Sequence, residues 1–303
     1  MAKNQVAVKK RRNINNIAYL FVLPFVIVFL VFNVYPVLRT LFLSFTNYRG
    51  FGEAVWNGIT NYTRVLGDKF FWRSLWHTIK MWGLNIVLQL GLAFLLTIVF
   101  SDVKYRIRGL GFFRAVFYLP NLISATSVAF LFKTLLDWKY GSFNQMLMSI
   151  GIIDEQVNWL GASATAPWVI SVIQTWMWFG NSFIMLMAGV QGISRDYFEA
   201  AAIDGAGRWT TFGKITLPLL KPIMLYVFIT SLIGGLQLFD LPFLISGGTA
   251  GNPSGSLQTT IMYLYKFGFE TGQVGYASAI AYTLFGIILI VSLIQFKTLG
   301  KED

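Results

Sequence analysis

The sequence predicts an all-α, polytopic membrane protein with six transmembrane helices. Three observations carry that prediction. The chain of 303 residues is 55% hydrophobic and only 12% charged, with a mean hydropathy of +0.61. A soluble domain carries about 25% charged residues. Second, uncharged runs long enough to cross a hydrocarbon core of about 30 Å recur along the chain. Third, basic residues gather in short segments beside those runs, the pattern that orients membrane proteins with positive loops inside. The formal net charge of +11 is therefore assigned to membrane topology, and nucleic acid is not expected as a partner. With no cysteine in the chain, disulfides, thiolate metal sites and cysteine catalysis are excluded.

The tail, residues 1–16, carries Lys3, Lys9, Lys10, Arg11 and Arg12. The apolar run behind it is too long for the core of a signal peptide, and no small-residue cleavage site follows. It reads as a retained first span over about 17–37, with a kink expected at Pro24. The stretch Arg39 to Lys80 is rich in aromatics and turn residues and reads as an external loop with short interfacial helices. A second span is expected over about 81–101. Lys104, Arg106, Arg108 and Arg114 then form a basic, cytoplasmic loop. The third span, about 115–134, is interrupted at Pro120-Asn121, a break that only protein or a water-filled cavity satisfies. An external loop leads to the fourth span, about 167–190, which contains Gln174, Trp176, Trp178, Asn181 and Ser182.

Between the fourth and fifth spans lies a polar stretch, 195–221, whose Arg195, Arg208, Lys214 and Lys221 place it in the cytoplasm. Ser194 is positioned to cap a helix that runs into Glu199, Ala200, Ala201 and Ala202. Asp204-Gly205 is a turn signal, because glycine reaches φ > 0 without a Cβ clash. Helix resumes at about Gly207 and ends at Pro218 and Pro222. This is a helix-turn-helix with a flat alanine face, a docking shape larger than a connector needs. The fifth span follows, about 222–245, with Gln237 and Asp240 near its far end. A glycine-rich external loop precedes the sixth span, about 276–296, and Lys297 and Lys301 close a cytoplasmic C-terminal tail.

The absent chemistry narrows the function. No G-x-x-x-x-G-K-[ST] occurs, so the chain has no phosphate-binding loop for its own ATP hydrolysis. The single histidine, His77, lies by an external boundary and rules out histidine-based catalysis. No metal or cofactor site is expected. A proton-coupled carrier keeps ionisable residues within its helices; here almost none occur, Asp240 is the main exception, and it reads first as an interfacial helix-end carboxylate. A chain that spans six times without a motor or proton relay either conducts passively or borrows an engine, and the 195–221 stretch favours borrowing.

The spacing Glu199-Ala200-Ala201, Asp204-Gly205-Ala206, Phe212, Ile215, Pro218 and Pro222 resembles the "EAA" signature of binding-protein-dependent ABC importer permeases. Ser44-Phe45-Thr46-Asn47-Tyr48, Phe71-Trp72, Tyr118-Leu119-Pro120 and Tyr276-Ala277-Ser278-Ala279 extend the likeness to sugar permeases of the maltose, lactose-arabinose and glycerol-3-phosphate type. The first of these stretches favours the type of the larger maltose permease subunit. Where that family carries glycine-glycine-proline after the fifth span, this chain has Gly247-Gly248-Thr249.

The resemblance implies a permease domain over 17–298 in a prokaryotic cell membrane, with both termini cytoplasmic and a cytoplasmic coupling helix between helices 4 and 5. It implies a second permease subunit, an ABC ATPase dimer that holds the catalysis, an external solute-binding protein and a sugar as cargo. Glu199, Ala200, Ala201, Asp204, Gly205 and Ala206 would meet the ATPase. Trp178, Gly180, Asn181, Phe183, Gln237 and Asp240 would lie in or beside the substrate path, with ordinary helix packing as the competing reading of each. The alternatives are glycerol phosphate or another small solute carried by the same machinery, or a stand-alone channel or secondary carrier. Apart from Lys133 at the very end of the third, no basic residue falls in the spans, which favours neutral sugars over phosphates.

Overall fold

The computed structural model describes residues 19–100 and 109–299. The basic tail 1–16, Ile17, Lys104, Arg106, Arg108 and Lys301 lie outside the described residues. The described chain is helical, apart from loops and one isolated antiparallel bridge, Thr46 to Trp56. Five helices are long and apolar enough to cross a membrane, and a bent pair makes a sixth when taken as one span.

By internal contact the chain forms two units, Met1–Val65 with Phe267–Tyr282, and Leu66–Lys266 with Thr283–Asp303. The smaller unit contains helix α1, Tyr19–Ser44, and all but the last two residues of the short α2, Thr60–Gly67. The helix is continuous through Pro24. It departs from α geometry at a π-helical turn, Leu30–Val34, which ends just before Pro36, where Tyr35 N–H reaches back to the Leu30 carbonyl. The wider turn sits where proline supplies no N–H. The Ser44–Tyr48 stretch closes α1. Asn61, buried on α2, donates through Nδ2 to the carbonyls of Ser44 (2.9 Å) and Thr46 (2.7 Å), satisfying acceptors that a helix end leaves open. Gly275 packs against the same turn: a Cβ there would lie 2.1 Å from the Thr46 carbonyl oxygen. Arg64 lies over the Tyr276 ring at 3.8 Å and donates to Gln273 Oε1 at 2.8 Å. Asn61→Ala leaves two buried carbonyls without donors and is expected to cost about 1–3 kcal/mol, read as a lowered Tm of the detergent-solubilised protein.

The larger unit is built on two long helices, α3 (Lys69–Phe100) and α7 (Ala166–Gln191). Between them in sequence come α4 (Leu110–Leu122), α5 (Ala125–Leu135) and α6 (Ser142–Ser149). The third apolar run is not one straight span: α4 and α5 meet at 89°. The break falls at Ile123-Ser124, after Pro120-Asn121, which stay helical. Ser124 explains the position. Its extended backbone (ψ 144°) ends α4, and its side chain caps α5 by accepting from Ser127 N–H at 3.2 Å. After α7 come α8 (Arg195–Ile203) and α9, which runs through Arg208–Thr211, the π-helical turn Phe212–Thr216 and Leu217–Leu219.

The fifth apolar run is also broken. Helix α10, Lys221–Leu236, stops at Gln237, and α11, Asp240–Ser246, restarts after an irregular Phe239 (φ −136°, ψ −59°). Then follow α12, Thr260–Tyr265, and the long α13, Val274–Leu299.

Candidate functional site: a polar cavity and an exposed small-residue loop

The α3–α7 seam is stitched by polar groups one turn apart. Ser171 Oγ reaches the Met81 carbonyl at 3.0 Å. Asn85 Nδ2 donates to Thr175 Oγ1 at 3.3 Å, while the Thr175 hydroxyl donates to the Ser171 carbonyl at 2.9 Å. Gln89 Nε2 donates to Ser182 Oγ at 2.7 Å. Met81, Asn85 and Gln89 fall on one face because residues four apart stack on a helix. Each buried amide thereby finds a partner that lipid cannot provide.

Beside this seam lies a cavity of about 420 Å³, within the range of about 300–1,000 Å³ typical of small-molecule sites. Its walls come from α3, the α4–α5 bend, α7, α10 and the broken segment before α11. Aromatic surface is supplied by Trp82, Trp178 and Phe239, and amide groups by Asn85, Gln89, Asn121, Gln174, Asn181 and Gln237. The α10–α11 break opens onto it, so the irregular backbone lines a cavity and does not face hydrocarbon. Next to the 195–221 stretch, α3 and α7 form an apolar plug instead: Ala93, Phe183, Leu186, Met187 and Val190 are buried together with Leu220 of the stretch itself, Ile223 and Met224 of α10 pack against them, and Phe100 and Phe117 stand edge-on to Phe183.

Of the residues expected along a solute path, Trp178, Asn181, Gln237 and Asp240 line the cavity. Gly180 and Phe183 do not. Gly180 is the point where α4 touches α7, and a Cβ on it would stand 1.9 Å from the Phe117 carbonyl oxygen. Phe183 is fully buried in the plug. The 3.6-residue period separates them: 174, 177, 178, 181, 182 and 185 share the cavity face of α7, and 180 and 183 point away from it. Asn85 and Gln89 on α3 escaped the sequence reading, which took that run as plain apolar span. Their four-residue spacing was the available signal.

The loop after α7 has the anticipated helix-turn-helix form. Ser194 caps α8, accepting from Asp196 N–H at 3.3 Å. Gly205 sits at φ +72°, and the helix closes with Gly205 N–H to Ala202 O (3.2 Å) and Ala206 N–H to Ala201 O (2.9 Å). This paired closure needs a left-handed residue at the position of Gly205. Phe198 and Ala201 turn inward and are buried. Glu199, Ala200, Asp204 and Gly205 are exposed, and Ala206 is half-buried. Two large apolar side chains flank them in the open, Ile203 (86% exposed) and Trp209 (68%). The loop is tied to α7 where Leu220, fully buried, fills the space over Gly189, whose Cβ would lie 2.6 Å from Leu220 Cδ2.

Apolar spanning helices around a polar cavity, with a structured polar loop between two of them, define a polytopic membrane permease. The chain belongs to the family of binding-protein-dependent transport system inner membrane components, whose model matches residues 89–299. It is thus a multi-pass inner-membrane transport component and not an enzyme. Among its relatives, the lactose transport system permease protein LacF of Rhizobium radiobacter is 35% identical, over 92% of this chain and 92% of its own. The trehalose/maltose transport system permease protein MalF of Thermococcus litoralis is 31% identical over 97% of each chain. In fold, the chain matches one from a bacterial ABC transporter involved in import of the acidic polysaccharide alginate, with a TM-score of 0.82 over 97% of this chain and 98% of that one, at 22% identity.

Proposed function

We propose that this chain is one permease subunit of a carbohydrate ABC importer. With a second permease it forms the membrane path for a sugar or oligosaccharide delivered by an external solute-binding protein, and separate ATPase subunits drive the cycle. The observation that carries the reading is the cavity. Trp82, Trp178 and Phe239 offer ring faces, and amides and hydroxyls surround them, the mixture that suits polyhydroxylated rings. The names of the curated relatives, a lactose and a trehalose/maltose permease, support the same cargo class.

The 195–221 loop is the coupling element in this proposal. It faces the cytoplasm together with both termini. Glu199, Ala200, Asp204, Gly205 and Ala206 present an open surface to an ATPase cleft, Ala201 beneath them packs inward and holds the helix in place, and Ile203 and Trp209 add apolar contact area at its edge. ATP-driven closure of the ATPase dimer displaces the loop, and the Leu220–Gly189 contact passes that displacement to α7 and α10, whose far halves wall the cavity.

The test is reconstitution in vesicles of this chain with its partner permease, the ATPase and the solute-binding protein, using the radiolabelled sugar that the binding protein retains. Uptake is expected to require ATP, the ATPase and the binding protein together. Uptake by this chain alone would overturn the mechanism in favour of a channel or carrier, and uptake of glycerol phosphate but of no sugar would overturn the cargo.

A further inference from the structure

We propose that the cavity is a charge filter: it admits neutral or cationic sugar units and turns back anionic ones such as uronates and sugar phosphates, with Asp240 as the residue that sets this specificity. The inference rests on the reading of the cavity as the solute path and adds to it the electrical character of the cargo.

Among the described residues that line the cavity, Asp240 is the only one with a formal charge; no Lys, Arg or His reaches it. The remaining polar wall is neutral and held in place. Asn85 and Gln89 are more than nine-tenths buried and tied to α7 through Thr175 and Ser182. They cannot swing aside to let a distant cation in, and they offer dipoles, not charge. Around them stand Met81, Trp82, Met177 and Trp178, apolar surfaces that keep the local dielectric low and focus the field of a single charge. A solute carboxylate or phosphate entering this space gives up hydration and finds no cation to replace it. It also meets the Asp240 carboxylate at short range. A sugar hydroxyl or ammonium does the opposite, donating a charge-assisted hydrogen bond to that carboxylate. An acidic residue at a helix start is favourable in itself, which accounts for an Asp at the first position of α11. It does not account for a cavity wall on which, among the described residues, no Lys, Arg or His stands beside that charge.

The absence of cysteine makes the filter directly measurable. Thr230 is exposed on the cavity wall, so Thr230→Cys places one thiol of this chain inside it. In membranes carrying the complete importer, that thiol is treated with two methanethiosulfonates of similar size, one bearing trimethylammonium and one bearing sulfonate. Labelling of this chain is followed by mass, and rates are normalised to those of 2-mercaptoethanol in solution. The cationic reagent is expected to be favoured by about tenfold, the scale of one unit charge acting across a partly solvated cavity. Asp240→Asn is expected to bring the normalised ratio to within about twofold of unity, and Asp240→Glu to preserve the preference. A ratio that Asp240→Asn leaves unchanged, a preference for the anion, or no reaction with either reagent overturns the proposal. The measurement needs neither a known sugar nor turnover. A selective cavity in an importer that carries no sugar would refute the cargo and keep the filter, whereas sugar uptake with an unselective cavity would do the reverse.

Discussion

Gly180→Val is expected to abolish accumulation of folded protein, while Gly91→Ala on the neighbouring helix is expected to be neutral or slightly stabilising. Both glycines sit mid-helix, where glycine ordinarily costs about 1 kcal/mol relative to alanine. They differ in what surrounds them. An added Cβ at Gly91 meets nothing within 4 Å. At Gly180 it would lie 1.9 Å from the Phe117 oxygen and 2.4 Å from the Phe117 carbonyl carbon, so the obstacle is backbone and cannot rotate away. Helix α4 would have to lift from α7, and Phe117 would leave the aromatic cluster it forms with Phe100, Phe113, Phe179 and Phe183. Overpacking of a fitted core costs about 1–3 kcal/mol and more where backbone must move, a large fraction of the total stability of a protein. Membrane yield and the thermal transition of solubilised protein give the answer. A Val variant with a Tm equal to the parent would show that α4 is not clamped at this point.

The same residue shows where sequence reading ran out. Apolar runs and their basic flanks made the all-α polytopic fold legible, because a bilayer imposes length and charge rules that hold without tertiary context. The loop around Gly205 was legible for a similar reason: a cap, a small-residue turn of helix and a left-handed glycine are local devices. The cavity was legible only in part. Trp178 and Gly180 are two residues apart and belong to opposite faces, and nothing in a nearly all-apolar run says which face is the wall. Asn85 and Gln89 sit in a run that reads as plain apolar span, and only α7 beside it, with Thr175 and Ser182, gives their amides a role. The two breaks were displaced for a comparable reason. Pro120 suggested the third, yet the chain turns where Ser124 can cap the next helix. Pro24 suggested a kink, yet the departure from α geometry lies at Leu30–Val34 ahead of Pro36. Proline marks a weak point in the hydrogen-bond ladder, and the surrounding packing decides where that weakness is used.

The second large effect is expected at the loop. Glu199→Ala, Gly205→Asp and Ile203→Asp should each lower ATP-dependent uptake by at least about tenfold, the loss that follows removal of one contact of about 1.4 kcal/mol, with membrane insertion and Tm nearly unchanged. Exposure separates a lost contact with another chain from lost packing within this one. Ile203 is 86% exposed, so replacing it with Asp removes a side chain that contributes little to packing in this chain. Glu199 is exposed as well, in the middle of α8 and beyond its first turn, where its carboxylate adds little to the helix. Gly205→Asp strains a left-handed residue at φ +72°, a local cost of about 1–2 kcal/mol confined to a turn already at the surface. None of the three can reach the cavity through the core, since α8 is held by Phe198 and Ala201 on its other side. A transport defect in these variants therefore has to arise at a surface that another chain covers. Co-purification with the ATPase separates the two forms it can take. Loss of ATPase from Ile203→Asp would mean that the exposed isoleucine anchors the joint. Retained ATPase with no uptake in Glu199→Ala would mean that the carboxylate transmits closure without providing the affinity. Full uptake in all three variants would remove the loop from the mechanism and return the engine to some other surface of the protein.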